Sequence, residues 1–286
     1  MESFSRISAS ISAYLIYLRA RLVDINGSQN IDDWPSLRQS LEDFIQLVKY
    51  DKSALADVEL LTGRTAVLVG TWQRDPDIVK VGIKHIERAR RIFDQLPVTM
   101  LAHETRLLFR VVTRLELANA VNTLGDLSQS PVQDRIASIL RDASRAIHRY
   151  QKHHFGNDHM PSLLRPSYDI AKTAKITQLR FQFALISLNS SSESDSIRWQ
   201  NEIMNIMSTS SIKCSWEFSY FGSLALAMDA ARHIDENPND PTALEKFRHF
   251  VQSAQTQLNG QDVPGTRNRL LLADDQLVDA LARRHF

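Results

Sequence analysis

The stretch from Asp75 to Pro97, DPDIVKVGIKHIERARRIFDQLP, decides the fold class. It opens with a carboxylate that can accept hydrogen bonds from the free N–H groups of a first helical turn, then a proline whose φ already suits that turn. Val79, Ile83, Ile86 and Phe93 follow at the spacing of one helical face. Pro97 ends the pattern, because proline has no N–H to donate and disfavours the helical region for the residue before it. A cap, an apolar stripe and a stop together predict one amphipathic helix.

The same grammar extends in both directions. Upstream, Ile7, Ile11, Tyr14, Leu15, Leu18 and Leu22 form a stripe that stops near Asn26-Gly27. Asp33 before Trp34-Pro35 starts a second helix, bearing Leu37, Leu41, Phe44, Ile45 and Val48. A third runs from about Ser53 to Trp72, weakened by Gly63 and Gly70. Downstream, Leu101 to Leu124 reads as a long helix closed by Gly125. Ser130-Pro131 opens another, with Ile136, Ile139, Leu140, Ala143, Ile147 and Tyr150 on its face and Gly156 after it. Gly156 to Ser167, with one glycine and two prolines, predicts a loop. Helical pattern returns over Tyr168 to Leu188, Ile197 to Met207 and Cys214 to Ile234. Asp240-Pro241 opens a helix with Leu244, Phe247, Val251, Ala254 and Leu258, stopped at Asn259-Gly260, and Ala273 to Arg284 adds a short one.

No run of alternating β-branched residues competes with this pattern, so the chain is predicted to be all-α, with about ten helices. Trp216, Tyr220, Phe221, Leu224, Leu226 and Met228 cover much of one helix's circumference, which predicts a central helix buried on several sides. That favours a compact multi-helix bundle over an open solenoid. Residues 1–286 are taken as a single domain, and the serine-rich stretch 189–196 is the best candidate for an internal boundary.

Composition narrows the function classes. Hydrophobic residues make up 43% and charged residues 23% of the 286, ordinary for a folded globular chain. Lys plus Arg number 34 against 33 Asp plus Glu, so no whole-molecule field attracts nucleic acid or an acidic membrane. Cys214 is the one cysteine, which excludes an internal disulfide or a thiolate zinc cluster within the chain. The stretch Met1-Glu2-Ser3-Phe4 does not read as a secretory leader, and Arg19 and Arg21 interrupt the first apolar stretch, so neither a leader nor a membrane span is expected there. A nuclear or cytoplasmic location is expected, with no membrane contact.

Candidate chemistry is sparse. His148, His153, His154 and His159 with Asp158 could hold a transition metal, but adjacent histidines diverge on a helix, and a polar helix end explains them better. Asp274-Asp275 with Asp279 resembles the magnesium-binding cluster of all-α terpene synthases, yet its place near the tail reads as a solvated acidic helix end. Lys80, Lys84, Arg88 and Arg91 fall on one face at spacings of 4, 4 and 3, a row that could contact phosphates or simply be solvated. Arg90 falls in the apolar stripe, where a guanidinium should pair with a carboxylate or bind something. Cys214 beside Trp216 reads as a small core residue. No nucleophile elbow, phosphate loop or dinucleotide fingerprint is present, so no enzyme, no cofactor and no metal are expected.

The segment Trp216-Glu217-Phe218-Ser219-Tyr220-Phe221-Gly222, continuing through Ala230-Ala231-Arg232-His233-Ile234 to Asn237-Pro238-Asn239-Asp240-Pro241 and the helix with Leu244, Phe247, Phe250 and Val251, resembles the later part of the middle homology region of fungal zinc-cluster transcription factors. About 45 residues carry it, and the opening Ala13-Tyr14-Leu15-Ile16-Tyr17-Leu18 is compatible. The resemblance implies an all-α regulatory domain that controls transcription through a protein partner or a small-molecule effector. The family's DNA-binding module needs six cysteines and this chain has one, so direct nucleic-acid binding by this chain is not implied. The second resemblance is to a tetratricopeptide unit. Ala89, Phe93 and Pro97 stand in the order of its second helix, with Leu61 to Trp72 as the first, which implies a scaffold binding a partner peptide. Lys80, Lys84, Arg88, Arg90, Arg91, Trp216 and Tyr220 are the candidate ligand or partner contacts.

Overall fold

A computed structural model of the chain describes residues 34–97, 103–124, 130–155, 165–190, 193–209, 216–238 and 240–259. The predicted helices over 7–22 and 273–284 lie outside the described residues, as do Asp158, His159, Cys214, Asp274, Asp275 and Asp279. Among the described residues there are nine α-helices and no strand. They are α1 (Trp34–Val48), α2 (Lys52–Gln73), α3 (Pro76–Gln95), α4 (His103–Leu124), α5 (Ser130–Phe155), α6 (Arg165–Ser190), α7 (Glu193–Thr209), α8 (Trp216–Glu236) and α9 (Pro241–Asn259). The all-α expectation is therefore met.

At Asp75 and Asp240, two of the helix starts read from sequence, the side chain makes the cap. Asp75 Oδ1 accepts from Asp77 N at 2.9 Å and Ile78 N at 3.3 Å, with Pro76 in the first turn of α3. Asp51, which the sequence reading did not single out, does the same for α2 through Ser53 N and Ala54 N, and Asp240 Oδ1 accepts from Thr242 N at 2.9 Å to start α9. Two expectations need correction. α6 already begins at Arg165, so the predicted loop ends earlier: Pro166 lies in the first turn, where its missing N–H breaks no helical bond. The serine-rich stretch 189–196 is mostly helical, since α6 runs to Ser190 and α7 starts at Glu193. Ser190 Oγ donates to the Ile186 carbonyl at 2.8 Å, which satisfies the hydroxyl inside the helix.

Contacts divide the chain into two units, Met1–His153 and His154–Phe286. The stretch 189–196 thus joins two helices of one unit, and these pack on each other.

In the first unit α2 and α3 form a tight hairpin joined by Arg74 and Asp75, with Arg74 in the left-handed region at φ 54°. α1 lays Trp34, Leu37 and Leu41 against Ala66 and Val69 of α2. α4 packs against α3 and α2, and Phe109 stacks on Phe93 with ring centroids 4.5 Å apart. Between α2 and α3, the buried Glu59 and His85 meet at 2.5 Å. Arg135 of α5 reaches Glu87 of α3 at 2.8 Å.

In the second unit α8 packs against α9, α7 and α6. Tyr220, Leu224, Ala227, Ala230 and Ile234 share a core cluster with Phe247, Val251 and Ala254 of α9. Phe218, Ala225 and Leu226 share another with Phe181, Ala184 and Leu188 of α6 and Ile203 and Ile206 of α7. The expectation of a helix walled on several sides holds. It fails at Phe221 and Met228, which stand 36% and 37% exposed: seven residues apart, they share a strip of α8 that these neighbours leave open.

Candidate functional site

A cavity of about 360 Å3 lies beside α8 in the second unit. Its walls come from α7 (Ser196, Gln200), α8 (Leu226, Asp229, His233, Glu236), the turn at Asn237 to Asp240, and α9 (Thr242, Lys246, Phe250). The helices place these groups by simple period. Asp229, His233 and Glu236 lie one turn apart on one face of α8, and Asp240 ends the turn that caps α9. The turn is held by Asn237 N donating to His233 O at 2.8 Å and Asp240 N to Asn237 O at 3.0 Å.

Asp229 is the anchor. Its side chain is only 3% exposed, and a buried carboxylate requires partners. Gln200 Nε2 donates to Oδ2 at 2.5 Å, and Arg232 Nη2 donates to Oδ1. His233 Nε2 lies 3.6 Å from Oδ2, and its Nδ1 is 3.7 Å from Glu236. The result is a fixed polar floor, with Glu236, Asp240 and Lys246 adding charge of both signs to the lining. Such a site suits a small polar molecule able to donate to the carboxylates and accept from Lys246.

The candidate contacts read from sequence are scattered. Lys80, Lys84, Arg88 and Arg91 are exposed along α3. Lys80 pairs with Asp77 at 2.8 Å, Arg88 lies 3.9 Å from Glu59, and Arg91 Nε donates to the Glu87 carbonyl at 3.3 Å. Arg90 is half-buried, and its Nε finds no acceptor among the described residues, nor does any described carboxylate form an ion pair with it. Tyr220 is fully buried in the α8–α9 core, so as the chain stands it presents nothing to a ligand. Trp216 is the first residue of α8. His148 is exposed on α5, and His153 and His154 lie in its last turn. Among the described residues no three His, Cys, Asp or Glu are grouped to hold a metal ion. No described helix is long and apolar enough to cross a membrane.

A second cavity, of about 250 Å3, lies in the first unit and was not expected from sequence. It is lined by Asp94 of α3, Arg110 and Arg114 of α4, and Asp142, Arg145 and Arg149 of α5. The missed signal is a pair of arginine ladders, Arg106, Arg110, Arg114 and Arg141, Arg145, Arg149, each spaced by four and so confined to one helical face.

Compared with protein families and with curated proteins, the chain matches none.

Proposed function

We propose that the chain is a helical regulatory domain, of the kind found in fungal transcriptional regulators, that acts by binding a small polar effector beside α8 and a protein partner. The observation that carries this reading is the cavity beside Asp229, walled by the same α8–turn–α9 segment on which the resemblance rests. Both oxygens of Asp229 already accept hydrogen bonds, from Gln200 and Arg232. That arrangement favours a positioning role over proton transfer, hence binding over bond chemistry. A ligand held jointly by α7, α8 and α9 would stabilise one arrangement of these helices over others, which is how a binding event becomes a switch.

The test is to tether the full chain to a heterologous DNA-binding module at a reporter promoter. A severalfold change in reporter output is expected, and Gln200→Ala together with the exposed-rim variant Lys246→Ala should shift it. A folded fusion with unchanged output, or output indifferent to both variants, would sink the proposal.

The peptide-scaffold reading has one observation in its favour. α4 packs against both members of the α2–α3 hairpin, as the first helix of a following repeat would. Under that reading the reporter stays silent, and an immobilised peptide library yields a ligand whose binding is lost on changing α2–α4 surface residues.

A further inference from the structure

We propose that the arginine-lined cavity of the first unit binds the dianionic phosphate group of a small phosphorylated molecule. The cavity is not the one beside α8, and the proposal stands independently of the function read there.

The first support is charge. Four guanidiniums, of Arg110, Arg114, Arg145 and Arg149, line the cavity against two carboxylates, of Asp94 and Asp142. Asp94 alone serves two of them: Arg114 grips it with both terminal nitrogens, the closest contact 3.0 Å, and Arg110 Nε lies 3.2 Å away. Arg145 reaches Asp142 at 3.6 Å, and Arg149 is exposed at the rim. Two positive charges are left over, the complement of a phosphate monoester near neutral pH.

The second support is preorganisation. Arg106 Nη1 donates to the Leu96 carbonyl at 2.8 Å, and Arg110 Nη2 to the Asp94 carbonyl at 3.0 Å. These carbonyls lie at the end of α3, where no intrahelical donor remains, so the guanidiniums are fixed by the fold itself. Arg114 Nη1 is braced further by the Arg110 carbonyl at 2.9 Å. The fixed, planar donors of Arg110 and Arg114 suit the geometry of phosphate oxygens.

The third support is crowded charge. Arg110 Nε is buried and, although 3.2 Å from Asp94 Oδ1, makes no well-aligned hydrogen bond. Burial and the neighbouring Arg106, Arg114 and Arg149 push Arg110 below the usual arginine pKa, against the opposing pull of Asp94. Crowding like charges around a partly buried guanidinium is unfavourable by itself, and a bound anion would relieve it. The cavity is small and concave and has aspartates in its lining, which fits one phosphate group with a short organic body and opposes a polyphosphate backbone tracking across a surface.

The experiment is titration calorimetry on the full chain with glycerol phosphate, inorganic phosphate, a phosphoserine peptide and a single-stranded oligonucleotide. Glycerol phosphate should bind at one site, and more weakly below pH ~6, where the phosphate gains a proton. Losing one charge-assisted contact in Arg149→Gln should weaken binding about tenfold, while Arg91→Gln, outside the cavity, should not. Arg149 is exposed, so that variant remains informative even if Arg110→Gln does not fold. The proposal is overturned by no saturable binding of glycerol phosphate, by equal loss in Arg149→Gln and Arg91→Gln, or by tighter binding of the phosphopeptide or the oligonucleotide.

Discussion

The α2–α3 hairpin and the α8–α9 pair are both helical hairpins with short connections, yet they pack by opposite means. In α2–α3 the two backbones touch. A Cβ added at Gly63 would fall 2.8 Å from the Gly82 carbonyl oxygen and 2.6 Å from Ile86 Cγ1. One added at Gly82 would fall 2.7 Å from the Gly63 oxygen, and one at Gly70 would fall 2.8 Å from Val79 N. In α8–α9 the rings of Tyr220 and Phe247 fill the space, with Ala227, Ala230, Ala231, Ala243 and Ala254 in the same cluster as the small partners that admit them. The first interface is fixed by atoms that cannot move without moving the chain. The second is fixed by volume, and its stability depends on how fully that volume is filled.

The comparison makes ordered predictions. Phe247→Ala should have the largest effect, because its ring is fully buried and leaves a cavity that the alanines around it cannot fill. A loss of about 3–5 kcal/mol is expected in urea unfolding. A loss below about 1 kcal/mol would mean that α9 closes onto α8 and that ring volume does not set their spacing.

Gly63→Ala comes next. The better helix propensity of alanine should be outweighed by the clash with the Gly82 carbonyl, for a net loss of about 1–3 kcal/mol. Hydrogen exchange should localise the weakening to α2 and α3. A stabilised variant would break the claim of backbone contact outright.

Gly222→Ala should have the smallest effect, although its added Cβ also meets neighbours. The nearest are Met207 Sδ and Cγ, the far end of a flexible side chain, with Ile203 Cγ2 at 3.2 Å. Methionine can change rotamer, so the change should stay within about 0.5 kcal/mol of neutral in the same unfolding assay. If it costs as much as Gly63→Ala, the distinction between yielding and unyielding neighbours is wrong.

These contrasts also mark which features were legible in the sequence. Gly63 and Gly70 look like weak points of a helix, and intrinsically they are. Their purpose becomes visible only once α3 lies against them. The serines at 189–196 look like a linker, but Ser190 bonds to the carbonyl four residues back, and Ser196 is fully buried between neighbours the sequence does not announce. Phe221 and Met228 belong to the same apolar run as Tyr220 and Leu224, and only the arrangement of α6, α7 and α9 leaves them outside. Neither cavity was read from the sequence, although the arginine ladders hint at the second. Gln200 and Asp229 are 29 residues apart and Asp94 and Arg114 are 20 apart, so no helical period links them.

The sequence by itself determined most of the helices and their best starts: Asp75 and Asp240 each bond to N–H groups two or three residues ahead, an interaction complete within one turn of chain. It also determined which faces of α1, α3 and α5 are buried, because their apolar stripes repeat at the helical period. The tertiary structure alone decided which helices touch, where a glycine becomes a contact, and which charged groups gather around a cavity. Those outcomes depend on the shapes of surfaces meeting across long separations, and local hydrogen bonding and hydrophobic period carry no record of the partner.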